Sequence, residues 1–254
     1  MTPAGRAPRR SPFADAATPF GLAHRAGAGE GVENSPTAFQ HAVDLGYRYI
    51  ETDVRATSDG HAMVFHDSTL DRTTDARGAI AATPLWSVQH ATLANGDHPM
   101  TLVEALRRWP DVRLNVDVKC DDAVEPFLRA MEQADAWERV CAAAFSTRRL
   151  ARLRAAAGPR LATSLGPAEV ARLVAGLPVR SPGCAAQVPV RVGRLRIVTR
   201  SFVRRAHERG LQVHVWTVND PVVMNQLLDL GVDALISDRL TELRDVLAAR
   251  GLRP

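Results

Sequence analysis

Short apolar runs alternate along this chain with segments whose apolar residues recur at helical spacing, and few folds accommodate that rhythm repeated so often. The strand-like runs are Phe20–Arg25, Arg48–Val54, His61–His66, Val112–Lys119, Val140–Phe145, Arg160–Leu165, Ala185–Val190, Leu211–Thr217 and Ala234–Ser237. The helical segments are Pro36–Leu45, Leu102–Arg108, Asp122–Ala134, Thr147–Ala156, Pro167–Ala175, Ser201–Arg209, Pro221–Leu230 and Thr241–Ala249. Ser35-Pro36 supplies a cap and a first-turn proline, and Gly46, Gly210 and Gly231 fall just past helix ends. Strands joined by helical crossovers run in the same direction and pair in parallel. With His61–His66 read as a short extra strand after Arg48–Val54, eight main strands remain. The expectation is an α/β fold, a (β/α)8 TIM barrel with a short insertion after the second strand region. An open doubly wound sheet is the alternative, and the chain lacks the GxGxxG turn that would follow its first strand.

The rhythm breaks in two places. Residues 1–15 begin MTPAGRAPRRS, with no periodic apolar pattern, and read as a loose basic N-terminal arm. Residues 16–254 read as a single barrel domain. Within it, residues 68–100 carry turn-forming Gly, Pro, Asn and Asp and read as a short excursion over one end of the barrel. No run approaches the roughly 20 apolar residues that span a bilayer, and FADAATPFGLAH is not the continuous apolar core of a secretory signal. A cytoplasmic protein without a transmembrane segment is expected. Cys120, Cys141 and Cys184 are widely spaced and contain no CxxC pair, which argues against a disulfide framework and a thiolate zinc site. The net charge is +4, and arginines crowd RLARLRAAAGPR and VPVRVGRLRIVTRSFVRRAHERG. These stretches read as the solvated faces and edges of outer helices, so no nucleic-acid partner is expected.

Polar residues accumulate where the strands end, the face on which barrels of this kind carry their active sites. FGLAHRAG ends in His24 and Arg25, YIETDV carries Glu51 and Asp53, MVFHD carries His66 and Asp67, LNVDVK carries Asp117 and Lys119, and HVWTVN carries Trp216. Residues two apart on a strand share a face, so Glu51 and Asp53 point together, as do Asp117 and Lys119. Three carboxylates buried in one mouth need compensation. Pairing with Arg and Lys is one solution. A hard divalent cation held by Glu51, Asp53 and Asp117 is the other, with Mg2+ or Ca2+ expected and zinc or manganese compatible with the nearby histidines. Arg25 and Lys119 suit a phosphate, and His24 and His66 suit the giving and taking of protons near neutral pH. That division of labour fits phosphodiester cleavage. Glu33, beyond the glycine-rich RAGAGEGVEN, reads either as an orienting group or as an ordinary loop residue near the next helix. Trp216 reads as a wall against substrate, with a core position as the alternative. His41, His61, His90, His98, His207 and His214 read as structural or exposed.

The chain resembles the glycerophosphodiester phosphodiesterase family. The resemblance rests on AHRAG at Ala23–Gly27, ENS at Glu33–Ser35, ETDVRATSDGHAMVFHDSTLDRTT at Glu51–Thr74, HPMTLVEAL at His98–Leu106, LNVDVK at Leu114–Lys119, WTVN at Trp216–Asn219 and GVDALISD at Gly231–Asp238. It implies a phosphatidylinositol-specific-phospholipase-C-like TIM barrel. It further implies divalent-metal-dependent hydrolysis of small glycerophosphodiesters to an alcohol and glycerol 3-phosphate. By resemblance, His24 and His66 match the general acid–base pair and Glu51, Asp53 and Asp117 the metal carboxylates. Arg25, Glu33 and Lys119 match residues near substrate. The chain departs from the family pattern in Ala26 before the first glycine, in an Asp at 117 where Glu is commoner, and in a short insertion after His66. Two other activities compete: lysophospholipase D-like hydrolysis, which needs an apolar patch from the Ile80–Trp86 segment and Trp216, and non-catalytic phospho-ligand binding.

Overall fold

The computed structural model describes residues 12–15 and 17–254. Eight strands form the barrel: β1 (Phe20–His24), β2 (Tyr49–Ala56), β3 (Arg113–Val118), β4 (Val140–Ala143), β5 (Ala162–Thr163), β6 (Ala185–Pro189), β7 (Gln212–Trp216) and β8 (Ala234–Ser237). Neighbours pair in parallel in chain order, and β8 returns to β1. β5 and β6 meet through a Ser164–Ala185 bridge, where Leu165 N–H donates to the Ala185 carbonyl at 2.8 Å. A helix follows every strand: α1 (Pro36–Asp44), α2 (Leu102–Arg108), α3 (Val124–Gln133), α4 (Thr147–Ala157), α5 (Pro167–Val174), α6 (Arg200–His207), α7 (Pro221–Asp229) and α8 (Leu240–Ala248). The expected TIM barrel is therefore the fold.

The caps expected from the sequence are in place. Ser35 Oγ accepts from Ala38 N–H at 3.1 Å to start α1, and Gly46 takes φ +95° just past its end. Strand alternation sorts side chains into two populations. Ile50, Val54, Leu114, Val116, Val118, Val213 and Val215 face outward into the main core shared with the helices. Phe20, Leu22, Tyr49, Cys141, Ala234 and Ile236 face inward and fill the barrel floor. The same inward register carries Glu51 level with Asn115, Asp53 level with Asp117, and Gln187 level with His214.

The inward polar residues at mid-height satisfy one another. Gln187 Nε2 donates to Asn115 Oδ1 at 2.7 Å and lies 3.3 Å from His214 Nδ1. His214 Nε2 stands 3.0 Å from Gln212 Oε1, and Gln212 Nε2 donates to the Ala14 carbonyl at 3.0 Å. Since His214 Nδ1 faces an N–H donor, Nε2 carries the ring hydrogen. Burial pushes the His214 pKa down to about 3, so the ring is neutral.

Of the arm expected at residues 1–15, residues 1–11 lie outside the described residues. Pro12–Ala14 form a single 3₁₀ turn, and Phe13 is fully buried edge-on to Tyr49, with ring centroids 5.3 Å apart. The extra strand Ala62–Val64 pairs antiparallel with β2. The excursion that follows has a small core of its own from Met63, Phe65, Leu70, Ile80 and Val88. The arginine-rich stretch after β6 is not all helix edge. Arg191–Val192 and Leu195–Arg196 form a separate hairpin ahead of α6, because Gly193, at φ +55°, turns the chain there. Among the described residues no helix is long and apolar enough to cross a membrane.

Candidate active site

β1 ends at His24, which lies beside Glu51 of β2 in the strand register. The next three residues all take positive φ: Arg25 (48°), Ala26 (62°) and Gly27 (104°). Left-handed backbone at two non-glycine residues is strained and is held by its surroundings. Here it turns Arg25 N–H onto Glu51 Oε2 at 3.1 Å and sends the guanidinium over the mouth, with Nε 3.5 Å from Asp53 Oδ2 and Nη1 3.2 Å from Glu33 Oε1. Two of the loop glycines pack against the segment that follows β8, whereas Gly31 faces open space. A Cβ on Gly27 would stand 2.8 Å from Leu240, and one on Gly29 would stand 3.0 Å from the Asp238 carbonyl.

That contact fixes a residue the sequence reading did not single out. Asp238, just beyond β8, places Oδ1 2.6 Å from His24 Nδ1. Asn219 Nδ2 donates to Asp238 Oδ2 at 2.8 Å, and Asp238 N–H donates back to Asn219 Oδ1 at 2.9 Å. A carboxylate only accepts, so Nδ1 carries the hydrogen and Nε2, 3.7 Å from Glu51 Oε2, is turned into the mouth. Burial opposes charge on His24, but the Asp238 hydrogen bond and the Glu51 and Asp238 charges outweigh it and raise its pKa.

His66 repeats the arrangement. Its Nδ1 lies 2.7 Å from Asp67 Oδ1, and its carbonyl accepts from Arg55 Nε at 2.6 Å. Arg72 donates to Asp67 Oδ2 at 2.6 Å and to Glu33 Oε1 at 2.7 Å, and holds Asp67 well below the usual carboxylate range. Glu33 therefore sits between two arginines, Arg25 and Arg72. In the sequence Asp67 is conspicuous only as the residue after His66, and Arg72 carries no signal of its own as a site residue. The signal was the DSTLDR run, in which a basic residue follows HD within reach of a turn.

The three acids expected to gather are all buried: Asp53 is 1% exposed, Asp117 4% and Glu51 7%. Lys119 Nζ bridges two of them, 2.8 Å from Asp53 Oδ1 and 2.6 Å from Asp117 Oδ2. Asn34, at φ 57°, receives Thr52 Oγ1 and donates to Asp53 Oδ2 at 3.1 Å. Burial and the Asp53 charge push Glu51 up to about 7. Burial likewise raises Asp117 despite Lys119, whereas Lys119, Arg25 and His66 overcome burial at Asp53 and lower it. The positive charge present does not balance the acids. Asp117 Oδ1 is buried without a hydrogen-bond partner. Among the described residues no group of three or more His, Cys, Asp or Glu side chains is drawn together as a preformed metal cage. The donor set is nevertheless all hard oxygen, and an orphaned carboxylate oxygen beside a carboxylate pushed toward neutrality fits a divalent cation.

Trp216, at the end of β7, is half-buried and meets Phe145 edge-on at 5.6 Å between ring centroids. Phe145 is 66% exposed, and Lys119 Nζ lies 5.7 Å from its ring centroid. The exposed aromatic at the mouth is thus Phe145. Within the Ile80–Trp86 segment, Ile80 is buried in the core of the excursion while Trp86 is exposed.

Residues 24–242 match the model of the glycerophosphoryl diester phosphodiesterase family. "Probable glycerophosphodiester phosphodiesterase 2" of Mycobacterium tuberculosis is 40% identical over 227 residues, covering 86% of each chain. A glycerophosphodiester phosphodiesterase from Parabacteroides distasonis shares the fold at TM-score 0.76 and 21% identity, covering 93% of this chain and all of its own. An Oleispira antarctica phosphodiesterase, solved in complex with the product sn-glycerol-3-phosphate, does so at TM-score 0.76 and 22% identity, covering 91% of this chain and 97% of its own. With the barrel, the strand-end acids and the aspartate-held histidines in place, this chain belongs to the glycerophosphoryl diester phosphodiesterase family and is a phosphoric diester hydrolase of that type.

Proposed function

We propose that the protein hydrolyses small glycerophosphodiesters to an alcohol and glycerol 3-phosphate in a divalent-metal-dependent reaction, with His24 and His66 as the acid–base pair. The observation that carries this reading is the matched treatment of the two histidines. Each is held through Nδ1 by its own aspartate, Asp238 or Asp67, which leaves Nε2 for proton transfer. Glu51, Asp53 and Asp117 would hold one divalent cation, Mg2+ or Ca2+, which when bound supplies electrophilic stabilisation of the phosphoryl charge. Arg25, oriented by Glu33, and Lys119, beside Asp53 and Asp117, bind and align phosphate oxygens. Trp216, backed by Phe145, walls the leaving-group side. One histidine takes the proton of the attacking oxygen, that of water or of the substrate's own glycerol hydroxyl, and the other protonates the alkoxide as its bond to phosphorus breaks; where the glycerol hydroxyl attacks, water then opens the cyclic phosphate to glycerol 3-phosphate.

Soluble glycerophosphodiesters in the cytoplasm are the proposed substrates. The lysophospholipase D-like reading stays alongside as a second activity of the same site, favoured by the exposed Phe145 ring next to Lys119. The deciding experiment is release of glycerol 3-phosphate from glycerophosphocholine, glycerophosphoethanolamine and glycerophosphoinositol, and of the head-group alcohol and lysophosphatidic acid from a lysophospholipid, with and without Mg2+ or Ca2+. Turnover only with metal is expected. Turnover that persists after chelation, or none on any of the four with folded protein, refutes the reading.

A further inference from the structure

Among the described residues six large apolar side chains are strongly exposed: Trp86, Phe145, Leu177, Val192, Leu195 and Val222. Four of them lie on three strand-to-helix connections, after β4, β6 and β7, and so on the rim of the catalytic mouth. Phe145 follows β4, Val192 and Leu195 form the hairpin after β6, and Val222 opens α7 after β7. The hairpin stands beside the aromatic wall, since Pro189 at its base is in register with Trp216.

The hairpin's chemistry is unusual for a solvated loop. Val192 and Leu195 are a cross-strand pair, 60% and 58% exposed. Arg191 and Arg196 are the adjoining cross-strand pair, and like charges placed directly opposite repel. Arg194 adds a third cation at the turn. Among the described residues no carboxylate lies within ion-pair distance of Arg191, Arg194 or Arg196, although elsewhere arginines such as Arg72, Arg149 and Arg154 are paired. Below the tip the hairpin is firmly seated. Ile197 N–H donates to the Val190 carbonyl at 3.0 Å, and Val198 is fully buried. A rigid stem thus presents an apolar tip ringed by unneutralised guanidinium groups.

We infer that the hairpin docks the catalytic mouth onto an anionic lipid bilayer, with Val192 and Leu195 entering the interfacial zone and Arg191, Arg194 and Arg196 pairing with lipid phosphates. Two weak signals of different kinds, apolar insertion and basic attraction, are what reversible surface binding requires. The cytoplasmic leaflet carries anionic lipid. Docked this way, the rim bearing Phe145 and Val222 faces the surface from which lipid-derived phosphodiesters come.

The test is co-sedimentation of the full chain with vesicles of equal parts phosphatidylglycerol and phosphatidylcholine, compared with pure phosphatidylcholine vesicles. Binding is read without turnover, so its outcome is independent of the catalytic assignment. Association with the anionic vesicles that weakens with added salt is expected. A basic side chain at such a surface is worth about a fivefold change in partition, so Arg191→Gln with Arg194→Gln lowers binding by about twenty-fivefold. Val192→Ser with Leu195→Ser lowers it by at least about tenfold. Both double variants keep hydrolysis of soluble glycerophosphocholine unchanged. Equal binding to neutral vesicles, no binding to either kind, or no loss in the double variants overturns the inference. So does a vesicle-free dimer that the same variants dissolve, which would make the tip a contact between copies of the chain.

Discussion

Asp238→Asn keeps the shape of the side chain that holds His24 and removes its charge. The interaction it weakens is a 2.6 Å hydrogen bond between side chains that are 17% and 22% exposed. A charge-assisted bond of this kind contributes about 1.5–3 kcal/mol to the charged form of its partner. Losing it lowers the His24 ionisation. The sign follows from the balance at the site. Burial favours the neutral ring, Asp238 and Glu51 favour the imidazolium, and removing one of the two acids lets burial prevail. The assay is the pH dependence of kcat/KM on a glycerophosphodiester, read beside an NMR titration of the His24 ring. One limb of the profile moves to lower pH: the alkaline limb if His24 gives the proton, the acidic limb if it takes one. The plateau falls as well, by up to the roughly 10²–10⁴-fold that general acid–base catalysis supplies. An unmoved ring titration with both limbs in place refutes the proposed support of His24 by Asp238, even if the rate drops.

His66→Ala removes the second proton-transfer group and is expected to lower kcat by about 10²–10⁴-fold. Thermal unfolding checks that the fold survives, since the His66 side chain is 30% exposed and contributes little to the core. Asp117→Asn is expected to shrink the rise in Tm that Mg2+ or Ca2+ gives the parent protein, because it alters the carboxylate whose Oδ1 has no partner. Differential scanning fluorimetry with a metal titration reads this without any substrate. Phe13→Ala opens the floor of the barrel beneath Tyr49 and is expected to destabilise by about 3–5 kcal/mol, or roughly 6–20 °C in Tm, with kcat/KM at low temperature little changed. An unchanged Tm refutes the plug.

Much of this molecule could be read from residues near one another in the chain. Strand alternation placed Glu51 and Asp53 on one face, and in the structure both lie inward with Tyr49 while Ile50 and Val54 pack outward against the helices. The short extra strand read at His61–His66, antiparallel to β2 in the structure, returns His66 to the same mouth. What escaped the sequence reading depends on contacts distant in the chain. Asp238 lies 214 residues from His24, and no local pattern links them. Phe13 is a single apolar residue at the edge of a basic, proline-rich stretch, and only the closed barrel floor gives it a place. Arg72 acquires its role from bridging Asp67 and Glu33 across two loops. The hairpin at Arg191–Arg196 hid inside an arginine-rich run whose apolar and basic residues also suit a helix edge until Gly193 is given its turn.

The neutral His214 beneath the mouth gives the protein two separate responses to acid. Its folded pKa of about 3 lies below the ordinary value of 6.5, so its share of stability is whole above 6.5 and drains away as pH falls toward 3. Through Gln212 the ring is tied to the Ala14 carbonyl, and through Gln187 to Asn115 at the level of Glu51. Its protonation would therefore unlock the floor plug and the underside of the site together. Over the range in which Glu51 and His24 titrate, the floor stays an unswitched dielectric platform, and changes in rate there report the chemistry of the mouth instead of loosening of the barrel.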